Sequence, residues 1–322
     1  MIEKPKCTFV TGFESYLLAQ TSRNLTRNYL AILERTRDTF VERFGDLTIE
    51  QLQPDVIRTY LVWLSGKDAT EGAPAAPRNQ AHKALSGATV NIHYRNLKAY
   101  CNWLEQEDLV LKSPVRKVKA PRCDSKLPDA LTPEEVNELL DQVQGSGDRN
   151  AWRDYCVHSF FLDTGVRLSE LSGLNIDHLN FAEGYAKVFG KGRKERIVPL
   201  GSDLRRDLSR YLLKYREAEQ GEPALFTNEH GRRLEPGGIR TMVVRDLTRY
   251  VPRTLRKVGP HTERHTAATL KLRQTRDLKT TSLILGHAST RTTERYVHLV
   301  GADVLRDVSS SALDELRRAR KR

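Results

Sequence analysis

The sequence predicts a mainly α-helical protein with a small antiparallel β-sheet in the second of two domains. Three observations carry this. Apolar residues recur at helical spacing through most of the first hundred residues. One stretch, YAKVFGKGRKERIVPL (185–200), alternates, turns at its glycines and alternates again, the pattern of a β-hairpin. Between them lies a segment without periodicity, punctuated by proline and rich in Lys and Arg. The 322 residues fit about two domains of ~100–200 residues each. The expected division is a helical domain over 1–120, a basic linker over 121–130 and an α+β domain over 131–322.

Residues 24–45 place Tyr29, Ile32, Leu33, Thr36, Phe40 and Phe44 on one helical face, with Gly45 as the stop. Thr48 can cap the following segment, in which Ile57, Tyr60, Leu61 and Leu64 predict a second helix. Residues 65–86 carry Gly and Pro without periodicity and read as a long loop. A helix resumes over 87–106 on Val90, Leu97, Tyr100, Cys101 and Leu104, leaving His93, Arg95 and Lys98 for other faces. In the second domain, Thr132, Pro133 and Glu135 spell a capped helix start. A helix then breaks at Thr164-Gly165 before a short helix, and from about Asp203 onward the chain reads as helical.

The 53 basic and 41 acidic residues leave a formal net charge of +12, which points to a polyanionic partner. Cys7, Cys101, Cys123 and Cys156 are scattered and read as packing residues of a reducing compartment, with no disulfide framework. No apolar run is long enough to span a bilayer and the start lacks a signal-peptide pattern, so a soluble, cytosolic or nuclear protein is expected.

Several second-domain residues have the chemistry of an anion site. Gly165 allows a sharp turn that aims Arg167 into a cleft, and Glu170, three residues on, can hold its guanidinium. Lys191 lies at the hairpin tip between glycines. His261 and Arg264 share one face of a helix start, where free N–H groups favour phosphate; His265 follows on another face. His287 and Tyr296 mark the ends of GHASTRTTERY (286–296). His261 and His265 stand four apart, but the Glu263-Arg264 pair between them does not make a zinc motif, so no metal site is expected. Two arginines, a lysine, two histidines and a phenol suit a phosphodiester. The cations would stabilise charge on the non-bridging oxygens, and the phenol could be a covalent nucleophile.

In this order the residues resemble the tyrosine recombinase (phage integrase) family. TGVRLSEL (164–171) is similar to its first arginine box, GKGRKERIVPL to its lysine hairpin, PHTERHTAATL (260–270) to its H-x-x-R-H box, and LGHASTRTTERYVHL (285–299) to its G-H…Y segment. The resemblance implies site-specific DNA strand exchange by two domains forming a C-shaped clamp. Tyr296 would form a 3′-phosphotyrosyl link, and Arg167 and Arg264 would hold the non-bridging oxygens. Lys191 would protonate the leaving 5′ oxygen, His261 would take the phenol proton, His287 would hydrogen-bond the phosphate, and Glu170 would orient Arg167, with His265 in support. Neither metal, ATP nor other cofactor is implied. The implied partners are double-stranded DNA carrying an inverted-repeat site and three further copies of the chain, joined by an exchanged C-terminal helix. Arg95, Lys98 and His93 on helix 87–106, Arg116, Lys117 and Lys119 in the basic segment, Arg193 in the hairpin, and Arg240, Arg245 and Arg249 are the expected DNA contacts. Type IB topoisomerase chemistry and an inactive DNA-binding relative remain as alternatives. One departure stands out: Glu263 occupies a position usually apolar in the family, so it either faces solvent or pairs with a basic side chain.

Overall fold

The computed structural model describes residues 7–67, 84–123, 129–190, 195–251 and 258–286, with Thr293 and Val297. The chain divides into two compact units, Met1–Ser125 and Lys126–Arg322. No helix among the described residues is long and apolar enough to cross a membrane.

The first unit packs α1 (Phe9–Ser22), α2 (Arg27–Phe44), α3 (Pro54–Gly66) and α4 (Gly87–Gln106). Apolar periodicity does not mark α1. Thr8 caps it, and Phe9, Phe13 and Tyr16 are buried from it. Phe9 stacks on Phe40 at 4.2 Å between ring centroids and meets Tyr100 edge-on at 5.4 Å. This aromatic centre joins three helices. On α2, Leu33, Thr36 and Phe40 are buried as expected, whereas Ile32 turns out to solvent. Thr36 is satisfied inside by the Asn96 amide, which donates to its hydroxyl at 2.8 Å. Part of the basic segment belongs to this unit: Val115 and Val118 are buried, and Tyr94 donates its hydroxyl to the Val118 carbonyl at 3.0 Å.

The second unit contains α5 (Pro133–Gln144), α6 (Ala151–Thr164), the short α7 (Leu168–Ser172), β1 (Leu179–Asn180), β2 (Tyr185–Phe189), β3 (Glu195–Pro199), α8 (Ser202–Lys214), α9 (Pro236–Tyr250), α10 (Pro260–Thr275) and α11 (Leu278–Leu285). The three strands form one antiparallel sheet in the order β1-β2-β3, with Ala186 opposite Val198 and Val188 opposite Arg196. The chain is therefore mainly helical with a small antiparallel sheet. The expectation of helix throughout from Asp203 needs correction. Between α8 and α9 the chain turns irregularly, with Gly221 and Gly231 at positive φ. It is anchored by buried Leu225 and Phe226 and by Arg216, whose guanidinium donates to the Ala224 and Glu222 carbonyls. Proline and glycine at 221, 223 and 231 explain the loss of helix.

The cysteines are free. Cys101 and Cys156 pack in the cores; Cys123 is exposed and lies against the Gly87 carbonyl and the Asn91 amide. The packing role expected of all four does not extend to Cys123.

Candidate active site

The site begins at the end of α6. Gly165 adopts the left-handed conformation (φ 64°) as the helix cap. A side chain there would stand 2.5 Å from Leu285 and 3.3 Å from Ala267. Only glycine permits this turn and this closeness, so α6, α10 and α11 meet at one point. The chain then presents Arg167 as the N-cap residue of α7.

Glu170 holds Arg167 twice: the Arg167 backbone N–H donates to Oε2 at 2.7 Å and Nη1 donates to Oε1 at 2.8 Å. The other terminal nitrogen of Arg167 donates to the Gly286 carbonyl at 3.2 Å. Arg264, buried on α10, donates through Nη2 to the Leu285 carbonyl at 2.8 Å and through Nη1 to the Gly165 carbonyl. Two guanidiniums from helices far apart in sequence thus rest on the consecutive carbonyls of Leu285 and Gly286. Burial by itself would raise the Glu170 carboxyl, but hydrogen bonds from Arg196 and from Arg167 overcome it and hold the group near 2. Glu170 is therefore a carboxylate at any working pH.

Arg196 was not anticipated from sequence. It lies on β3 and forms a two-point fork on Glu170, at 2.7 and 2.8 Å. Alternation along β3 puts it on the same face as buried Val198, and that was the available signal.

His261 is exposed near the start of α10, its ring 6.3 Å from that of half-buried His265 and close to parallel with it. Desolvation, then the positive fields of Arg264, Arg240 and Arg167, push its imidazolium pKa down. The ring is accordingly neutral near pH 7 and able to accept a proton. Arg240, an expected DNA contact, is exposed on α9 and belongs to this cationic surround. Lys191, Arg193, His287 and Tyr296 lie outside the described residues, as does the C-terminal segment expected to form an exchanged helix. His287 follows Gly286 directly in the chain.

Glu263 is fully buried and pairs with His158 Nδ1 of α6. The other His158 nitrogen meets Asp246 of α9 at 3.0 Å. Arg245 joins Asp246 and Asp154, each at 2.7 Å, and Arg153 contacts Asp154 at 2.7 Å. Three acidic and three basic side chains thus form a continuous chain of contacts that starts on the helix carrying His261 and Arg264 and runs through half-exposed Arg245 to Arg153. Burial acts to lower the His158 pKa, but Glu263 and Asp246 outweigh it and the net shift is upward, while burial raises the Glu263 carboxyl against the pull of His158. His158 is the imidazolium of the cluster. Glu263 thus takes the second of the two placements open to it from sequence, pairing with a basic group instead of facing solvent.

The expected DNA contacts are distributed unevenly. Arg95 and Lys98 are exposed on α4, and Arg116, Lys117 and Lys119 on the segment packed beside it. Lys98, Arg116 and Lys119 line one groove with Tyr94 and Asn102. Arg249 is exposed over the Tyr250 ring. His93 is a correction: it is buried on the core face of α4, bonded to the Tyr60 hydroxyl at 2.9 Å, and burial with nearby Arg35 and Lys67 lowers its pKa to about 4. It stands three residues after Val90 and four before Leu97, so helical spacing already placed it on the core face. Arg245 pairs with the buried carboxyls of Asp154 and Asp246 while about half of its side chain stays exposed. Among the described residues no group of three or more His, Cys, Asp or Glu is placed to hold a metal ion.

Comparison with known proteins places the chain in a family. Residues 129–301 match the model of the phage integrase family. The chain is 31% identical over 299 residues to tyrosine recombinase XerC of Thermodesulfovibrio yellowstonii, covering 90% of this chain and 91% of that protein. It is 35% identical over 221 residues to tyrosine recombinase XerD of Oceanobacillus iheyensis, covering 67% and 73%. In fold it is similar to XerH site-specific recombinase bound to a palindromic difH substrate, with a TM-score of 0.69 and 21% identity over 90% of this chain and 82% of that one. It is likewise similar to the Tn1549 transposon integrase in complex with circular intermediate DNA, with a TM-score of 0.70 and 20% identity over 98% of this chain and all of that one. The chain belongs to the phage integrase family of tyrosine recombinases.

Proposed function

We propose that the protein is a site-specific DNA recombinase that breaks and rejoins strands through a 3′-phosphotyrosyl intermediate. The observation that carries this reading is the seating of Arg167 and Arg264 on the consecutive carbonyls of Leu285 and Gly286. Preorganised donors of this kind stabilise the charge that builds on a phosphorane's non-bridging oxygens without reorganising during reaction. The Tyr296 oxygen bonds to phosphorus and the P–O5′ bond breaks. The phenol proton goes to His261 and the 5′ oxygen takes a proton from Lys191. Attack by a 5′-hydroxyl of another duplex reverses these steps, so phosphodiester bonds are conserved. Arg95, Lys98, Arg116, Lys117 and Lys119 on the first unit, with Arg240 and Arg249 on the second, supply phosphate contacts, as their exposure supports. Assembly as a tetramer on two duplexes through an exchanged C-terminal helix completes the proposal.

The test is strand exchange. Candidate sites are inverted repeats around a short spacer, to be sought in the DNA flanking the gene. Purified protein with two labelled duplexes carrying such a site should yield recombinant strands in EDTA and without ATP. Relaxation of a plasmid lacking any such site, with no recombinants from the paired duplexes, would instead favour topoisomerase chemistry. Binding with neither reaction would mark an inactive relative.

A further inference from the structure

Glu170 is saturated. Its Oε1 accepts from Arg167 Nη1 and Arg196 Nη1, and its Oε2 from the Arg167 backbone N–H and Arg196 Nη2. A carboxylate offers about four lone-pair sites, and all four are used here. The planar fork of Arg196 fixes the plane of the carboxylate, and that plane fixes where Arg167 Nη1 can sit. The carboxylate of Glu170 is 1% exposed and the Arg196 side chain 16%, so water does not replace either partner readily.

Arg196 also touches the opposite wall of the site. A Cβ added to Gly286 would stand 2.8 Å from Arg196 Nε and 2.9 Å from its Cζ, so the guanidinium lies directly against the Gly286 backbone. That Nε is buried with no hydrogen-bond partner among the described residues. Gly286 is at φ 63° and offers the carbonyl that receives Arg167. A closed ring results: Arg196 to Glu170, Glu170 to Arg167, Arg167 to Gly286, and Gly286 back to Arg196. The ring joins β3 to α7 and to the end of α11. β3 opens four residues after Lys191, and Gly286 immediately precedes His287.

We infer that Arg196 is a positioning residue of this active site. It locks the Glu170 carboxylate so that the Arg167 guanidinium is held at the phosphate position, and it holds β3 against the same point. The inference rests on the recombinase reading above. Arg196 does not itself touch the reacting atoms.

Because removing the charge beside buried Glu170 endangers folding, the primary variant is R196K. It keeps a cation but cannot form a two-point fork. The assay is the rate of covalent complex formation on a nicked suicide duplex, with DNA affinity and thermal melting measured alongside. R196K should cleave about tenfold more slowly, since small misplacement of a catalytic group costs up to ~10²-fold, while DNA affinity stays within about twofold. In an E170Q background, adding R196K should change the rate less than about twofold, because residues acting through one another are not additive. Wild-type cleavage by R196K, losses that multiply in the double variant, or failure of R196K to fold would each overturn the inference, the last by making Arg196 a folding residue. Those outcomes presuppose wild-type cleavage; a wild-type protein forming no covalent complex would overturn the recombinase reading itself.

Discussion

Arg264→Ala is expected to slow DNA cleavage by about 10²–10³-fold, the usual loss when one preorganised donor to a developing oxyanion is removed. Arg264 is buried and donates to the carbonyls of Gly165 and Leu285. Those bonds aim the guanidinium before DNA arrives, so no reorganisation is needed in the transition state. Duplex affinity should fall little, because it is spread over many exposed lysines and arginines. Arg264→Lys keeps the charge but cannot span two carbonyls, and should recover only a minor part of the rate. Single-turnover cleavage of a nicked duplex, with binding measured separately, checks both statements.

The second large effect is on stability. His158→Ala leaves Glu263 fully buried without its cation and should destabilise the second unit by ~3–5 kcal/mol, the range for breaking one side of a buried ion pair. Replacing both residues by leucine should recover part of that loss, because apolar side chains avoid the desolvation of the pair while Asp246 loses His158 and keeps Arg245. The pH dependence has a definite sign. His158 is raised above its ordinary value of ~6.5, against the effect of burial, by Glu263 and Asp246. Its contribution is therefore fully present below that ordinary value and is lost as pH rises through the raised one, and Glu263, raised by burial, acts in the same sense. Asp246, which burial would raise but His158 and Arg245 hold low, contributes in the opposite sense, losing its effect as pH falls through its depressed value. Denaturant unfolding should show wild type losing stability relative to His158→Leu/Glu263→Leu on the alkaline side of neutrality.

What the sequence could disclose followed from the range of each interaction. Arg167 and Glu170 are three residues apart, so their pairing was legible from helical spacing. Leu33, Phe40, Tyr60 and Leu97 announced themselves through periodicity, and the hairpin through alternation. Arg196 was hidden because its partner Glu170 lies 26 positions away and a strand arginine looks like any solvated side chain. His158 and Glu263 are 105 positions apart; each looks misplaced until the fold brings them together. His93 was misassigned by its chemistry against its position, since its spacing from Val90 and Leu97 already put it in the core. The helix α1 escaped notice because Gly12 and several threonines and serines dilute its apolar face, while Phe9, Phe13 and Tyr16 supply the burial.

In the proposed mechanism a cationic cradle built from Arg167 and Arg264 serves Tyr296 as nucleophile. A suicide duplex nicked near the cleavage position traps the covalent product, because the released fragment diffuses away. Peptide mapping of the trapped adduct should find a single DNA-linked peptide, joined through Tyr296 to the 3′ end of the broken strand, and Tyr296→Phe should yield no adduct. Linkage through another residue, linkage to the 5′ end, or undiminished cleavage by Tyr296→Phe would contradict the account.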